Sequence, residues 1–251
     1  MMTVEYIASR KGDVMTLNRD VKIKYLGHST FLITTPGGNN LIIDPWVENN
    51  PACPPEDKKL DRLDMMLITH GHGDHMQDAV SLAKQFKPDI ACIYEISLWL
   101  GSKGVENAVG MNKGGSVHLK DIRATLVNAH HSSSIIEDDG SIVYAGEAGG
   151  FVVEFENGFR LYHAGDTSVF GDMRIIAELY KPELLFLPIG DLFTMDPKEA
   201  AYACRLMNPR MVIPMHYGTF PVLTGTPEAF IEATRDHDVQ VITMKPGDVL
   251  E

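Results

Sequence analysis

Residues 67–78 read LITHGHGDHMQD and place three of the chain's ten histidines, His70, His72 and His75, within six positions, with Asp74 among them. No packing requirement asks for that spacing, so the stretch constrains the fold through what its side chains must face. The preceding LDMMLI is a buried-type β run that delivers the motif at its C-terminal end. Side chains on an extended segment alternate with period two, so His70 and His72 point to one side and can grip one ion. Asp74 and His75 follow in a tight turn, permitted by Gly71 and Gly73, and can point at a neighbouring position. The tetrad is built for two metal ions rather than one, and the chain must bring further ligands to the same place.

The candidates for those ligands share one feature, a His or Asp just past a β-type run. TLVNAHHSS ends in His130 and His131, FRLYHAGDT in Asp166, and MVIPMHYGT in His216. Strands ending along one rim converge on a single site, the usual way a rigid scaffold carries functional loops. Imidazole and carboxylate donors without cysteine suit Zn or Mn, with Fe also admissible.

The rest of the chain supplies the scaffold. VKIKYLG, TFLITTP and NLIIDPW read as strands, the last two separated by a Gly-Gly-Asn-Asn hairpin signal. DAVSLAKQF and EISLWLGSKG read as helices around the strand DIACIY. A strand-rich middle follows: SVHLK, IRATLVNAHHS, SIVYAG, GFVVEFENG and FRLYHAGDT. The last third alternates helix and strand: GDMRIIAELYK, ELLFLPIG, DPKEAAYACRLM, RMVIPMHYG, TPEAFIEATRDH and VQVITM. Asp196 is an N-cap with Pro197 at the first helical position and Glu199 completing a capping box; Thr226-Pro227-Glu228 opens its helix similarly. Strand-rich segments in both halves with helices interspersed predict an α+β fold of two sheets packed face to face, with helices on the outer faces. No repeat or linker divides it, so 1–251 is read as one domain with residues 1–20 as an N-terminal extension.

Composition narrows the function classes. The 22 basic against 34 acidic residues give a formal charge of −12, and no run of Lys or Arg offsets it. That disfavours a long nucleic-acid partner, while a small anionic ligand held by local groups is compatible with it. The opening MMTVEYIASRKGDVMTLNRD has no apolar core or small-residue cleavage site, so no signal peptide is expected. No run approaches a membrane span. Cys53, Cys92 and Cys204 are odd in number and widely spaced, which points to unbridged thiols and a cytoplasmic location.

The series H-x-H-x-D-H, a histidine before serine, G-D-T and a late histidine resembles the metallo-β-lactamase-fold hydrolases. YLGHSTFLI, LIIDPW, ITHGHGDH, GMNKGGS, AHHSS, YHAGDT, LPIGDLFTM and IPMHYGTFP are similar to the branch that includes L-ascorbate-6-phosphate lactonase, from about residue 21 to 248. The resemblance implies a four-layer αββα sandwich. It makes His70, His72 and His131 the ligands of one ion and Asp74, His75 and His216 those of a second, with Asp166 bridging. His131 is preferred to His130 because the family ligand directly precedes Ser or Thr, as His131 precedes Ser132.

The implied activity is that of a dinuclear hydrolase acting on a small anionic metabolite, lactone opening being the lead reaction and a homo-oligomer a possible state. Two ions about 3.5–4 Å apart share a water and lower its pKa, giving a hydroxide nucleophile that Asp74 orients while ligating. A phosphodiesterase or nuclease is the alternative within hydrolases, and a non-catalytic metal-binding relic the alternative of another class. Flavin-bearing diiron proteins of the fold carry Glu where His72 stands. Around the ligands, Asp44 and His163 are expected to orient them by hydrogen bonds, and His28 to serve either that purpose or substrate contact. Lys113 reads as a turn residue or as a contact for substrate charge, His130 as a residue that supports the ligands or is structural, and Tyr217, Thr219 and Phe220 as pocket lining or loop packing.

Overall fold

The computed structural model describes Leu17 and residues 19–251, so the expected N-terminal extension lies almost wholly outside the described residues. The first half of the chain forms strands β1 (Lys22–Gly27), β2 (Thr30–Thr34), β3 (Asn40–Ile43), β4 (Met65–Ile68), β5 (Asp89–Ile93) and β6 (Ala108–Met111). The second half forms β7 (Ser116–Leu119), β8 (Ile122–Asn128), β9 (Ser134–Ile136), β10 (Ile142–Tyr144), β11 (Gly149–Phe155), β12 (Arg160–His163), β13 (Leu184–Pro188), β14 (Met211–Met215), β15 (Gln240–Val241) and β16 (Val249–Leu250). One sheet runs β16-β1-β2-β3-β4-β5-β6 and the other β15-β14-β13-β12-β11-β8-β7, with β9 and β10 paired apart as a hairpin. Both large sheets are mixed. Strands β3 to β6 and β12 to β15 are parallel, while β1, β2, β16, β8 and β11 pair antiparallel.

The apolar pattern explains the layering. In β13 every residue is buried, as expected of a parallel strand covered on both faces. Leu184 and Phe186 join the core between the sheets, whereas Leu185 and Leu187 join a second core on the outer face. Strand β14 divides the same way, with Met211, Ile213 and Met215 inward and Val212 outward. The outer core is filled by Met173 and Ile176 of α4 (Met173–Tyr180), Ala200 and Cys204 of α5 (Pro197–Met207) and Phe230 of α6 (Pro227–Thr234). Asp196 caps α5 by accepting from Glu199 N, and Thr226 caps α6 by accepting from Ala229 N. Helices α2 (Ala79–Phe86) and α3 (Tyr94–Ser102) pack the other sheet through Ala79, Ala83, Ile96 and Leu100.

The expected tight turn at Asp74 and His75 is instead one turn of helix, α1 (Gly73–Met76), with His72 as its extended N-cap. Neither Gly71 nor Gly73 adopts a positive φ, so their freedom is not what shapes the turn. Gly71 is required for room: a Cβ there would lie 2.5 Å from Ala145 Cβ at the base of the β9–β10 hairpin. The predicted strand 239–244 shrinks to Gln240–Val241. All three cysteines are buried and unbridged, and burial pushes the Cys92 and Cys204 thiols up to about 12. Among the described residues no helix is long and apolar enough to cross a membrane.

Phe31 of β2 stacks on Phe186 of β13 with ring centroids 4.2 Å apart, joining the sheets directly behind the ligand-bearing rim. Removing a buried phenyl ring costs about 3–5 kcal/mol where the site cannot collapse. Phe31→Ala should lose that much in denaturant unfolding; a loss below about 1 kcal/mol would mean that this contact does not join the sheets.

Candidate metal centre

Each side chain of the centre leaves its strand at the C-terminal end. Strand β3 delivers Asp44, β4 delivers His70 and His72, and α1 then carries Asp74 and His75. From the opposite sheet β8 delivers His131, β12 Asp166 and β14 His216. Two backbone hydrogen bonds tie the sheets beside these termini, Gly149 N to Thr69 O at 3.1 Å and His216 N to His28 O at 2.8 Å. A Cβ at position 190 would collide with the His216 carbonyl oxygen, so Gly190 lets its loop pass behind that histidine.

The seven sequence-predicted ligands come together. His70, His72 and His131 form one group whose donor atoms all lie within 4.8 Å of one another, and Asp74, His75 and His216 fall in another with His28. Asp166 lies between them. Its Oδ2 is 3.1 Å from His216 Nε2, 3.6 Å from His131 Nε2 and 3.9 Å from His70 Nε2, and its Oδ1 is 3.3 Å from His75 Nε2. Despite this proximity, His75 Nε2, Asp166 Oδ1 and both ring nitrogens of His216 are buried without a hydrogen-bond partner. Polar atoms buried unsatisfied cost about 1–3 kcal/mol each, and a cation coordinated by His75 Nε2, Asp166 Oδ1 and His216 Nε2 would remove that cost for those three atoms. The all-imidazole and carboxylate donor set fits divalent ions of the Zn or Mn type.

The supporting shell fixes which nitrogen faces inward. Asp44 Oδ2 lies 2.8 Å from His75 Nδ1, leaving Nε2 as the free lone pair. Asp44 also accepts from Thr69 N and Thr69 Oγ1, both at 2.8 Å, and that hydroxyl lies 3.0 Å from His70 Nδ1. Thr69 is the member that the sequence reading missed. It directly precedes the first histidine of the motif, and its position was the only available signal.

The remaining candidates divide. His28 enters the centre, with Nε2 3.1 Å from Asp74 Oδ2 and Nδ1 3.0 Å from Thr219 Oγ1. Phe220 packs near it, 5.5 Å from the His28 ring and 5.9 Å from that of Trp46. His130 turns away and stacks on Phe170 at 4.6 Å. His163 spends both nitrogens elsewhere, Nε2 on Ser29 O and Nδ1 on Gly165 N, so its ring hydrogen-bonds no candidate ligand side chain. Lys113 is paired with Glu147 and Asn128, and the Tyr217 hydroxyl donates to Met244 O at 3.3 Å.

A family model described as a beta-lactamase superfamily domain matches residues 39–217. A UPF0173 metal-dependent hydrolase of Koribacter versatilis is 52% identical over 231 residues, covering 91% of this chain and 97% of the relative. The chain belongs to the UPF0173 metal-dependent hydrolase family. Its counterpart in Rubrobacter xylanophilus is also 52% identical, covering 91% of this chain and 96% of the relative. Among solved structures, Igni18, a metallo hydrolase of the hyperthermophilic archaeon Ignicoccus hospitalis, superposes with a TM-score of 0.80 at 35% identity, covering 92% of this chain and 97% of that one. The UPF0173 chain thus has the metallo-β-lactamase fold and is a metal-dependent hydrolase.

Electrostatics in this UPF0173 protein follow from burial and pairing. Burial pushes His70 well below the ordinary imidazole value and also lowers His72 and His131. Burial opposes charge on His75 too, but the Asp166 and Asp44 carboxylates outweigh it and hold that ring well above the ordinary value. Burial would raise Asp166, yet the His216 and His75 imidazoles hold it well below the usual carboxylate range. A cation bound at His75 displaces its proton, so metal affinity should fall as pH falls through the range where that ring protonates. A Zn²⁺ competition titration repeated across pH reads this directly, and a flat profile would contradict it. On the same protein, His131→Ala should lose bound metal and His130→Ala should lose much less; elemental analysis showing the reverse order would overturn the ligand assignment.

Proposed function

We propose that the chain is a dinuclear hydrolase of a small metabolite, with opening of a lactone ring as the lead reaction. One observation carries the two-ion reading. The buried Asp166 carboxylate has imidazole nitrogens from both histidine groups within 3.1–3.9 Å, and several of the atoms at this junction lack any other partner. His70, His72 and His131 would hold one ion, Asp74, His75 and His216 the other, and Asp166 would bridge. When bound, such ions lower the pKa of a shared water and polarise the bond to be broken.

The chain's own residues do the rest. Asp74 has its side chain 28% exposed, whereas those of His70, His75, Asp166 and His216 are at most 3% exposed. Substrate therefore approaches on the Asp74 side, next to the partly open His131 and His72. There Asp74 can accept a hydrogen bond from the attacking water and fix its direction. The buried rings hold their lone pairs inward through Asp44 and Thr69, so little reorganisation accompanies the reaction.

Anionic character in the substrate is supported by what bound cations would attract, not by a free lysine, since Lys113 is already paired. The resemblance to the ascorbate-6-phosphate lactonase branch supports a sugar lactone as the lead class. The formal charge of −12 weighs against long nucleic acid.

Protein reconstituted with Mn²⁺ or Zn²⁺ should turn over a phosphorylated sugar lactone faster than an activated phosphodiester, and a chelator should abolish the activity. Dominant diester turnover would move the reaction to phosphoryl transfer with the same ligands. Turnover that survives complete metal removal would reject the metal-dependent mechanism itself.

A further inference from the structure

His28 is the one buried histidine of the centre that the ligand assignment leaves without a task. It sits in the turn between β1 and β2 at a φ of 58°, a left-handed conformation unfavourable for a residue bearing a Cβ. That conformation is held from three sides. The His28 carbonyl accepts from Tyr25 Oη at 2.9 Å and from His216 N at 2.8 Å. Its ring Nδ1 lies 3.0 Å from Thr219 Oγ1. The remaining ring nitrogen, Nε2, is thereby aimed at Asp74 Oδ2, 3.1 Å away. An ionised carboxylate only accepts, so Nε2 donates. A neutral ring then has its lone pair on Nδ1, and the Thr219 hydroxyl can donate there at 3.0 Å in preference to its longer 3.5 Å contact with Tyr217 O.

We infer that His28 is a positioning residue that fixes the rotamer of Asp74, and that Thr219 sets its tautomer and orientation. The inference deepens the two-ion reading and rests on it. Segment 216–219 then serves one ion twice: His216 as a ligand, and Thr219, through His28, as the group that orients a second ligand. Asp74 needs such support more than its neighbours do. It is the most open carboxylate of the centre, and it stands on a single turn of helix.

The test is a Co²⁺ titration of the full chain, reading stoichiometry, both affinities and the visible spectrum. Groups that hydrogen-bond to a ligand typically change metal affinity by about 10–100-fold when removed. Thr219→Val should weaken the second ion by about tenfold and alter its spectrum while leaving the first within about twofold, and Thr219→Ser should restore both. His28→Leu should lose the second ion more severely, and His28→Gln, which offers an N–H near the Nε2 position, should recover part of it. Thermal unfolding of the metal-free variants separates these effects from misfolding, and Thr219→Val keeps the test informative if His28→Leu does not fold. Two ions bound by wild type, with Thr219→Val and His28→Gln both indistinguishable from it and His28→Leu equally unaffected, would overturn the positioning role alone. One ion bound by wild type would overturn the two-ion reading and this inference with it.

Discussion

A carboxylate with almost no access to water, surrounded by imidazoles, is the constraint on which this structure turns. Asp166 is 2% exposed, and ring nitrogens of His70, His75, His131 and His216 lie within 3.9 Å of it. Placing these groups in a protein interior is costly, since each polar atom gives up water. The cost can be met only if the scaffold is rigid enough to prevent the groups from escaping to solvent. That rigidity comes from the apolar contact of two sheets, with Phe31 and Phe186 stacked behind the rim, and from the hydrogen bonds that tie Thr69 to Gly149 and His28 to His216.

Backbone conformation at the strand ends serves the same constraint. His28, Asp44 and His216 all adopt positive φ, at 58°, 54° and 57°. Glycine would adopt these angles without strain but would bring no side chain. The chain instead accepts unfavourable backbone at three points so that each strand can stop and turn its last side chain into the gap. Non-glycine residues held in this region are commonly found where surrounding structure over-determines them, and here Tyr25, Thr69 and Thr219 do so.

Much of this was legible in the sequence, for reasons that differ along the chain. Strands buried on both faces, such as β13 and β14, are continuous apolar runs, and a polar ligand just past each run stands out. Short elements were not legible. Strand β16 has two residues and β9 has three, too few for any period to register, and α1 was hidden because its four residues, GDHM, carry no helical pattern. A supporting role for Asp44 was readable as a carboxylate closing an apolar strand, but not that its partner is His75. Thr69 was not, because threonine is ordinary in a strand and only its neighbours give it a task. His163 and Asp166 look alike in YHAGDT, yet three residues of separation turn one toward Ser29 and the other into the centre.

The residues proposed as ligands are divided between the two sheets. His70, His72, Asp74 and His75 are synthesised before His131, Asp166 and His216, which follow strands of the other sheet. A nascent chain would therefore complete such a centre only after His216 has been made and both sheets have docked. Any ion so held bonds to the folded form alone, and stabilises it by mass action in proportion to the logarithm of free metal over its dissociation constant. A centre so occupied would act as a clasp across the sandwich, so that the stability of the fold would depend on free metal.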